Sequence, residues 1–497
     1  MSTSRIRIWT DLPIATIHPN IYGHFAEHLG RCIYEGIWVG SRSGIPDEDG
    51  IRIDVLAALK QVRTPVVRWP GGCFADTYHW RDGIGPRKHR PQTVNMWWRQ
   101  AEPNEFGTDE FMQLCRLLGC EPYICVNVGT GSPQEAVDWL EYCNHGGDST
   151  LSRARASHGD AKPYGVKYWG IGNENWGCGG RLTAADYAKE FVRFGSFMKA
   201  ADPGVQLIAC GCSPMDYQNP GLASWNHDFC QSMPHGDLMD HLSIHRYFSR
   251  GRGSDFSDSE YHALFSDLIS LERDIEQADQ LLGYFYPDKS VGLAVDEWGA
   301  WHPSATVENG LEQENTLRDA VFAGAALNLF NRHAQRVTMT NIAQTINVLQ
   351  SLAFTDGPRM FLTPTYHVYD MMRYHMGARV LTQEIDCPEF EGHPMGLRRK
   401  FSAPVLSVSA SVAGSKVLVT VANQTINQDI ETCIELRGAK AAGVVGRVLN
   451  SASARDKNTF EAPKTIFPKR LKLEPVGGEI VHTFPAHSLT SLNISLG

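Results

Sequence analysis

Short apolar runs alternate with amphipathic helical patterns along residues 21 to 376 of the chain. The apolar runs are rich in β-branched and aromatic residues, whereas the helical patterns repeat their apolar positions every three or four residues. Eight runs are predicted to be strands, at 21–28, 64–72, 121–129, 166–175, 205–212, 241–247, 290–299 and 336–344. The helical patterns lie at 51–62, 108–118, 133–143, 183–201, 221–233, 259–285, 316–334 and 364–376.

Such strongly apolar strands, each followed by a helix, are typical of a parallel sheet that helices cover on its outer faces. Eight strand–helix units predict a (β/α)8 TIM barrel of the α/β class. A doubly wound open sheet would give the same pattern and stays open as the alternative.

A different pattern begins near residue 378, where VLSVSASVAGSKVLVTVANQT alternates with period two around a Gly-Ser turn. Strands without intervening helices predict a C-terminal antiparallel β-sandwich that resembles a jelly roll. The opening RIRIWTDLPIATI alternates in the same way, so we expect the first strand to join that sandwich. The predicted domains are therefore the barrel at 18–378 and a sandwich made of 1–17 plus 379–497.

Composition and charge exclude several classes of function. A net charge of -9 argues against binding to nucleic acid, and no apolar run approaches the ~20 residues of a membrane span. The first residues lack the apolar core of a signal peptide. The twelve cysteines include no CxxC pair. We therefore expect a cytoplasmic protein whose cysteines are reduced and buried.

Polar side chains follow the carboxyl ends of the predicted strands, where barrel enzymes place their active sites. They are Glu27 and His28 in the first strand, Arg68 in the second, Asn127 in the third, Asn173–Glu174–Asn175 in the fourth, His245 and Tyr247 in the sixth, Asp296–Glu297–Trp298 in the seventh, and Gln344 in the eighth. Glu174 and Glu297 are predicted to lie across the mouth of the barrel from each other. Paired carboxylates of this kind catalyse glycoside hydrolysis, one as a proton donor and one in its ionised form. The alternative for either glutamate is a structural role, as a helix cap or an arginine partner.

Other functions fit the sequence less well. His24 and His28 are four residues apart, but they lack the H-E-x-x-H order and a clear third ligand, so we predict no metal site and no cofactor. A sugar isomerase or aldolase barrel would need several metal ligands, or a lysine at a strand end. A noncatalytic carbohydrate-binding protein would not need two opposed carboxylates. His245 is predicted to be a hydrogen-bonded wall of the site.

Four segments carry a resemblance to a known family. GNENWG at 172–177 and DEWG at 296–299 look like the acid/base and nucleophile motifs of retaining hydrolases built on barrels. GHFAEHLGRCIYEGIWVG at 23–40 and VVRWPGGCFADTYHW at 66–80 narrow the resemblance to glycoside hydrolase family 51, which consists mainly of α-L-arabinofuranosidases. The resemblance extends over essentially the whole chain, including the sandwich.

The resemblance implies a role for each matching residue. Glu174 would be the general acid/base and Glu297 the nucleophile. Arg68 would keep the nucleophile ionised. The remaining substrate-binding positions would be Glu27, Asn173, Tyr247 and Gln344 for the sugar, Trp98 at the entrance, and Trp298 as a wall behind the nucleophile.

Two positions depart from the family pattern. Cys73 stands where many members have asparagine, so a weak thiol contact with the substrate is expected there. Gly299 follows DEW where asparagine is common. These departures leave the expected chemistry in place and affect only substrate preference.

The expected activity is that of a retaining, exo-acting α-L-arabinofuranosidase, which removes terminal arabinofuranosyl units from arabinoxylo- or arabino-oligosaccharides. A β-xylosidase or endo-glucanase of the same barrel clan is the alternative. The resemblance also implies a homo-oligomer, often a hexamer. If the enzyme is retaining, the carboxyl groups of Glu174 and Glu297 should lie roughly 5–5.5 Å apart.

Overall fold

Among the residues that the structure describes, eight parallel strands close into a barrel and nine others form a second sheet. The structure is a computed structural model and describes residues 4–213, 222–233 and 236–497. The strands are β1 Ser4–Thr16, β2 Gly23–Phe25, β3 Asp47–Glu48, β4 Ile51–Arg52, β5 Val66–Trp69, β6 Thr93–Asn95, β7 Gln100–Glu102, β8 Glu121–Val126, β9 Tyr168–Ile171, β10 Gln206–Ala209, β11 His241–Phe248, β12 Gly292–Ala300, β13 Val337–Ala343, β14 Ala353–Asp356, β15 Arg359–Leu362, β16 Arg379–Asp386, β17 Glu389–Gly392, β18 Phe401–Pro404, β19 Leu406–Ala413, β20 Lys416–Asn423, β21 Ile430–Arg437, β22 Ala441–Leu449, β23 Lys469–Leu473, β24 Ile480–Phe484 and β25 Ser488–Leu496.

The α-helices of the described residues include a match for every predicted helix. They are α1 Ile53–Gln61, α2 Thr108–Leu118, α3 Pro133–Asn144, α4 Thr150–Ser157, α5 Ala184–Ala201, α6 Trp225–Ser232, α7 Asp258–Phe285, α8 Leu317–Arg332 and α9 Pro364–Met372. Only α4 was not predicted. Residue 221, the first of one predicted helix, lies outside the described residues. No helix in the described part of the chain is long and apolar enough to cross a membrane.

The barrel consists of the eight strands that the sequence predicts. Its closed order is β2-β5-β8-β9-β10-β11-β12-β13, and each neighbouring pair runs parallel. Closure removes the open-sheet alternative and confirms the TIM barrel. A small apolar cluster fills the interior, with Val66, Tyr123, Tyr168, Ile208 and Met339 among its members. This plug closes the barrel below the level of the polar strand ends.

A bulge in β12 changes which side chains point into the barrel. Ser243 of β11 pairs with Ala294 of β12, and the next recorded pair is His245 with Glu297. Between these two pairs β11 advances by two residues, whereas β12 advances by three. The extra residue in β12 is characteristic of a β-bulge, which interrupts the alternation of side chains. As a result, the consecutive residues Asp296 and Glu297 both reach the interior, where they contact Arg68 at 3.4 and 2.7 Å.

The second sheet has the strand order β23-β22-β25-β20-β19-β16-β1-β21-β24. The first strand, β1, runs antiparallel to β16 and parallel to β21, so this sheet is mixed where we had expected only antiparallel pairs. Residues 1–3 of the predicted N-terminal segment lie outside the described residues. Because β1 pairs with β16 and β21 in this sheet, we propose that the N-terminal segment and residues 379–497 form one domain. The barrel lies between these two segments in the sequence.

Helix α8 of the barrel layer packs directly on the second sheet. The Asn328 amide donates to the backbone carbonyls of Ser407 and Thr420, at 2.9 and 3.3 Å. Just after α9, His375 lies between the hydroxyls of Ser411 and Thr420, at 2.8 Å from each. Buried polar groups that are paired across the junction favour one relative placement of barrel and sheet.

Candidate active site

Glu174 and Glu297 meet above the apolar plug of the barrel. Glu297 lies in β12, and Glu174 lies just after β9 with a φ of +43°, which an L-residue adopts rarely. One carboxylate oxygen of each glutamate and one ring nitrogen of His245 all lie within 4.8 Å of one another. The sequence therefore correctly predicts that these strand ends converge.

Glu297 is surrounded by hydrogen-bond donors. Arg68 Nη1 donates to its Oε1 at 2.7 Å, and the Tyr247 hydroxyl donates to its Oε2 at 2.9 Å. The two donors bond to different oxygens of the carboxyl group, and Arg68 places a positive charge beside it. Arg68 and Tyr247 thus hold the Glu297 carboxyl group in one orientation.

Glu174 is in a different environment. Its Oε1 is 2.9 Å from His245 Nδ1, and its side chain is 19% exposed toward the cavity. Burial raises the pKa of Glu174, against the opposing effect of His245. A carboxyl group whose pKa is raised in this way can retain a proton when its neighbour is ionised.

His245 connects the two glutamates to Asp296. Its Nε2 lies 3.1 Å from Asp296 Oδ1, and its Nδ1 lies 3.6 Å from Glu297 Oε2. Burial lowers the pKa of His245, but the charges of Glu297 and Asp296 outweigh burial and raise the pKa to about 10. The ring is therefore a cation near neutral pH and donates to Glu174. The sequence placed His245 in the site but did not single out Asp296 as its partner.

Glu27 forms a second polar cluster at the first strand end. Its Oε1 accepts from the Trp98 indole at 3.0 Å and from the Phe74 backbone at 3.2 Å, while its Oε2 accepts from the Gln344 amide at 3.0 Å. Burial and the charge of Glu297 raise the pKa of Glu27 to about 7. Three predicted substrate-binding residues, Glu27, Trp98 and Gln344, are therefore brought together.

The backbone after β5 approaches both carboxylates closely. A Cβ atom on Gly72 would lie 2.9 Å from Glu297 Oε1, and one on Gly71 would lie 2.5 Å from Glu27 Cγ. A side chain at either position would have to displace a glutamate, so only glycine fits this approach. The two glycines of the VVRWPGGC segment are therefore required because a larger residue would not fit beside the two glutamates.

Asp76, for which the sequence predicts no role, organises the loops after β8 and β9. Its Oδ1 accepts from the backbone of Val128 and Gly129, at 2.8 and 2.9 Å. Its Oδ2 accepts from the Asn173 backbone at 2.8 Å and from the Asn175 amide at 3.3 Å. Asp76 thereby holds the residues on both sides of Glu174, Asn173 through its backbone and Asn175 through its side chain.

A cavity of about 330 Å³ opens above Glu174. Tyr247 forms part of its lining, and two tryptophans that were not predicted, Trp176 and Trp301, supply aromatic surface. The rings of Tyr247 and Trp301 pack edge to face at 5.2 Å. Aromatic rings suit the apolar faces of sugars. Trp176 stands two residues after Glu174 in GNENWG, so its proximity was a signal available in the sequence.

Two groups at this site have the composition of a metal centre. The ligand atoms of Glu174, His245 and Glu297 lie within 4.8 Å of one another, as do those of Cys73, Glu174 and Cys178. The two sulfurs are bonded to each other, however, and both ring nitrogens of His245 already contact carboxylates, Nδ1 that of Glu174 at 2.9 Å and Nε2 that of Asp296 at 3.1 Å. The donor chemistry here fits proton transfer better than metal binding.

The histidines considered for a metal site occupy separate surroundings. His28 Nδ1 is 2.7 Å from Glu102 Oε2, and its Nε2 accepts from the Trp69 indole at 3.0 Å. His24 is fully buried, with its ring centroid 4.9 Å from that of Tyr369. These contacts give His24 and His28 packing roles.

Comparisons with known proteins match almost the whole chain. Residues 58–262 match the family model described as α-L-arabinofuranosidase 1 domain, and residues 296–488 match the α-L-arabinofuranosidase C-terminal domain. An intracellular exo-α-L-arabinofuranosidase of Bacteroides ovatus is 37% identical over 99% of this chain and 96% of its own length. The crystal structure of the GH51 arabinofuranosidase from Xanthomonas axonopodis pv. citri superposes with a TM-score of 0.92 at 35% identity, covering 99% of this chain and 100% of that one. The chain belongs to glycoside hydrolase family 51.

A further member of family 51 is relevant to the ligand. An arabinofuranosidase from Thermotoga maritima, solved as an arabinose complex, superposes with a TM-score of 0.85 at 33% identity and covers 99% of this chain and 100% of that one. The chain is thus an α-L-arabinofuranosidase glycoside hydrolase, as the sequence motifs predict.

One predicted substrate contact of this family 51 enzyme is wrong. Trp298 is fully buried, and its ring packs edge to face on Phe330 of α8 at 5.1 Å. Successive side chains of a strand point in opposite directions, so Trp298 faces the helix layer because Glu297 faces the interior. Trp301, three residues later, is the aromatic residue that lines the cavity.

The cysteine predictions also need correction. Cys73 forms a disulfide with Cys178, so the expected thiol contact with the substrate is absent, and not all twelve cysteines are reduced. The two residues are 105 positions apart, and the fold brings their Cα atoms within 5.5 Å. Gly299, the other departure of this family 51 chain, has a φ of +147°, a conformation that favours glycine.

Proposed function

We propose that this enzyme is a retaining, exo-acting α-L-arabinofuranosidase that works by double displacement. The observation that supports this most directly is the short separation of Glu174 and Glu297, whose nearest oxygens lie within 4.8 Å. Retaining glycosidases hold their carboxyl groups about 5–5.5 Å apart, whereas inverting enzymes leave about 6.5–9.5 Å for a water molecule.

In the first step, Glu297 attacks the anomeric carbon of a terminal α-L-arabinofuranosyl unit. The carboxylate is suited to this role because hydrogen bonds from Arg68 and Tyr247 orient it. Glu174 gives its proton to the departing glycosidic oxygen, so the leaving group departs as a neutral alcohol. The sugar remains bound to Glu297 as a β-linked ester.

In the second step, Glu174 is ionised and removes a proton from water. The water attacks the anomeric carbon from the side that the leaving group vacated, and Glu297 departs as a carboxylate. Two inversions give net retention. His245 assists both steps, because its Nδ1–H bonds to Glu174 at 2.9 Å and stabilises the carboxylate that appears after proton donation.

The sugar hydroxyls would be bound by the polar groups around the two glutamates. Arg68 Nη2 donates to Asn173 Oδ1 at 2.6 Å and so orients the Asn173 side chain. This bond uses the amide oxygen, so an amide N–H group of Asn173 remains available to a substrate hydroxyl. We assign Asn173 to the 2-hydroxyl, where contacts strengthen as the transition state develops. Glu27 and Gln344, already bonded to each other, would bind the remaining hydroxyls.

Terminal arabinofuranosyl units are the proposed substrate. The Bacteroides ovatus relative is named as exo-acting and intracellular, and the Thermotoga maritima relative was solved with arabinose. A cavity of about 330 Å³ is at the lower end of the range for ligand sites, roughly 300–1,000 Å³, which suits one or two sugar units. Arabinoxylo- and arabino-oligosaccharides in the cytoplasm would be the natural substrates, and a homo-oligomer the working form.

The roles of the two glutamates are tested by azide rescue of alanine variants. With a 2,4-dinitrophenyl arabinofuranoside, Glu174→Ala should still form the glycosyl-enzyme and accumulate it, because no base activates water. Azide needs no deprotonation, so it should restore turnover and give the α-L-arabinofuranosyl azide with retained configuration. Glu297→Ala should lose about 10⁴-fold or more in kcat, and azide should replace the missing nucleophile to give the inverted β-azide.

Glu431→Ala is the control, since this glutamate is exposed on β21 of the second sheet. It should behave like the parent enzyme with and without azide. An α-azide from Glu297→Ala, together with a β-azide from Glu174→Ala, would reverse the assignment. Release of 4-nitrophenol from the arabinofuranoside, the β-xyloside and the cellobioside would separate the proposed activity from a β-xylosidase or endo-glucanase.

A further inference from the structure

The Cys73–Cys178 disulfide joins two loops of the active site. Cys73 follows the glycines after β5, and Cys178 lies in the turns that follow Glu174. The Cys178 sulfur is 3.6 Å from Glu174 Oε2 and 3.8 Å from Asn173 Nδ2. The covalent link therefore lies directly beside the proposed acid/base.

The segment that carries Glu174 depends on contacts from outside itself. Residues 172–180 form bends and turns, so they have no helix or strand ladder to hold them. Two anchors come from a single stretch of the β5 loop: the disulfide at Cys73 and the carboxylate of Asp76, which accepts from the Asn173 backbone. The Trp176 indole adds a bond to the Gly211 carbonyl at 2.9 Å.

We propose that the Cys73–Cys178 disulfide is a redox-sensitive positioning element that holds Glu174 in place for proton transfer. The inference rests on the proposed role of Glu174 as acid/base. When a dithiol reduces the bridge, one anchor of the loop is lost and the carboxyl group moves relative to Glu297. Misplacement of a reacting group by about 1 Å costs on the order of 100-fold in rate, so a loosened loop is enough to slow catalysis.

The reaction that opens the bridge is ordinary thiol–disulfide exchange. One thiolate of the dithiol attacks a sulfur of the bridge, the other closes the reagent into a cyclic disulfide, and both cysteines take up a proton. Two electrons pass from the dithiol to the bridge. Both cysteines are half-buried rather than enclosed in the core, so a small reductant can reach them.

Reduction also changes the hydrogen bonding of Glu174. A disulfide sulfur cannot donate, whereas the Cys178 thiol would place an S–H donor near Glu174 Oε2, where the sulfur is now 3.6 Å away. A donor to the carboxylate stabilises its ionised form and lowers the pKa of the acid. The other charged and titratable groups that act on Glu174 are His245, Glu297 and Arg68, with the buried hydroxyl of Tyr247 and the Cys210 thiol nearby.

Two kinetic signatures should follow in the reduced enzyme. A poor leaving group needs the proton from Glu174, so kcat for a 4-methoxyphenyl arabinofuranoside should fall about tenfold or more. A 2,4-dinitrophenyl arabinofuranoside needs little acid assistance in the first step, so glycosylation should change less than about threefold. The basic limb of the pH profile of kcat/KM should move to lower pH.

The experiment compares the full-length enzyme in three states: air-oxidised, reduced with a dithiol, and re-oxidised. Alkylation and mass analysis of the peptides that contain Cys73 and Cys178 give the redox state of each sample. Cys178→Ala lacks the bridge and should show the low activity with poor leaving groups whether or not reductant is present. Cys387→Ser removes a free, half-buried cysteine far along the chain and should respond to reductant like the parent enzyme.

Recovery of kcat on re-oxidation, together with the leaving-group dependence, would support the inference. Equal kinetics of verified oxidised and reduced enzyme would overturn it, as would a loss that is the same for both leaving groups in a sample with unchanged circular dichroism. Azide rescue of Glu174→Ala tests the acid/base role separately. If that rescue succeeds while reduction has no effect, only the disulfide inference fails.

Discussion

Replacing Asp76 by asparagine should weaken both the fold and catalysis, although the change removes no group that we place on the substrate. The Asp76 carboxylate accepts two N–H groups on each oxygen, from the loops after β8 and β9. An asparagine has the same shape, but one of its two ends is an NH2 group. Whichever way the amide turns, that end faces two N–H donors and cannot accept from them.

The magnitude follows from the bonds that are lost. Two hydrogen bonds disappear and their donors stay buried without an acceptor, at about 1–3 kcal/mol each, which gives a loss of ~2–6 kcal/mol in the free energy of unfolding. The unfolding entropy is about 2.1 cal/mol/K per residue, hence roughly 1 kcal/mol/K for a chain of 497 residues that unfolds cooperatively. The melting temperature should therefore fall by about 2–6 °C.

The catalytic effect should appear in kcat rather than in KM. When Oδ2 is replaced by NH2, the Asn173 backbone and the Asn175 amide lose their acceptor, and Glu174 between them shifts. We expect kcat on 4-nitrophenyl α-L-arabinofuranoside to fall about 10- to 100-fold, as for a displacement of about 1 Å.

The assay combines thermal melting by circular dichroism with steady-state kinetics. Asp288→Asn makes the same change at an exposed aspartate in the turn after α7, and it should leave both measurements unaltered. If Asp76→Asn melted at the parental temperature with parental kcat, Asp76 would not organise these loops. A rise in KM at constant kcat would instead indicate that Asp76 serves substrate binding.

Two further predictions concern Glu174 and Trp298. Burial raises the pKa of Glu174 above its usual 4.5, and the first step needs its protonated form, so kcat/KM should fall as the pH rises through that raised pKa. Profiles measured between about pH 4 and 9 should show this basic limb in the parent enzyme and lose it in Glu174→Gln; a limb that persists in the variant would assign it to another group. Trp298→Phe should lower the melting temperature, because it leaves a cavity beside Phe330, and it should change KM less than about threefold. A tenfold rise in KM would indicate instead that Trp298 contacts the substrate.

The barrel could be predicted from the sequence because its strands are rich in β-branched and aromatic residues. Its helices repeat their apolar positions every three or four residues. The helix at 108–118 was predicted with both bounds correct, since its apolar stripe is complete and Gly119 ends it in the left-handed conformation. The short helix α4 was not predicted, because TLSRARAS is polar on most of its surface and is held by the Ser149 cap rather than by an apolar face. Short helices stabilised by caps lack the periodic pattern that prediction relies on.

The sequence predicts the position of a site residue only where its place at the end of a strand determines that position. Glu174 and Glu297 stand at the carboxyl ends of apolar runs, so their convergence follows from the barrel. Asp296 could not be assigned in the same way, because a regular strand would turn it away from Glu297, and the bulge in β12 is set by pairing with β11. Trp298 could have been assigned correctly, since its outward direction follows from the inward direction of Glu297.

Long-range pairings were beyond the sequence for a different reason. Cys73 and Cys178 lie 105 residues apart, and nothing in the spacing of twelve cysteines selects this pair over the others. Asp76 is separated from Asn173 by nearly as much chain. Such contacts depend on how far each loop extends above the barrel, which hydrophobic periodicity does not encode.

One short segment acts on both proposed catalytic groups. Arg68 donates a hydrogen bond to Glu297, and the Gly72 backbone comes so close to that carboxylate that a Cβ atom there would lie only 2.9 Å from it. Cys73 and Asp76 hold the loop that carries Glu174. The separation of the two carboxyl groups thus depends on nine consecutive residues, 68–76, as well as on strands β9 and β12. Because a retaining mechanism depends on that separation, substitutions in this segment should impair catalysis even where they leave every substrate contact in place.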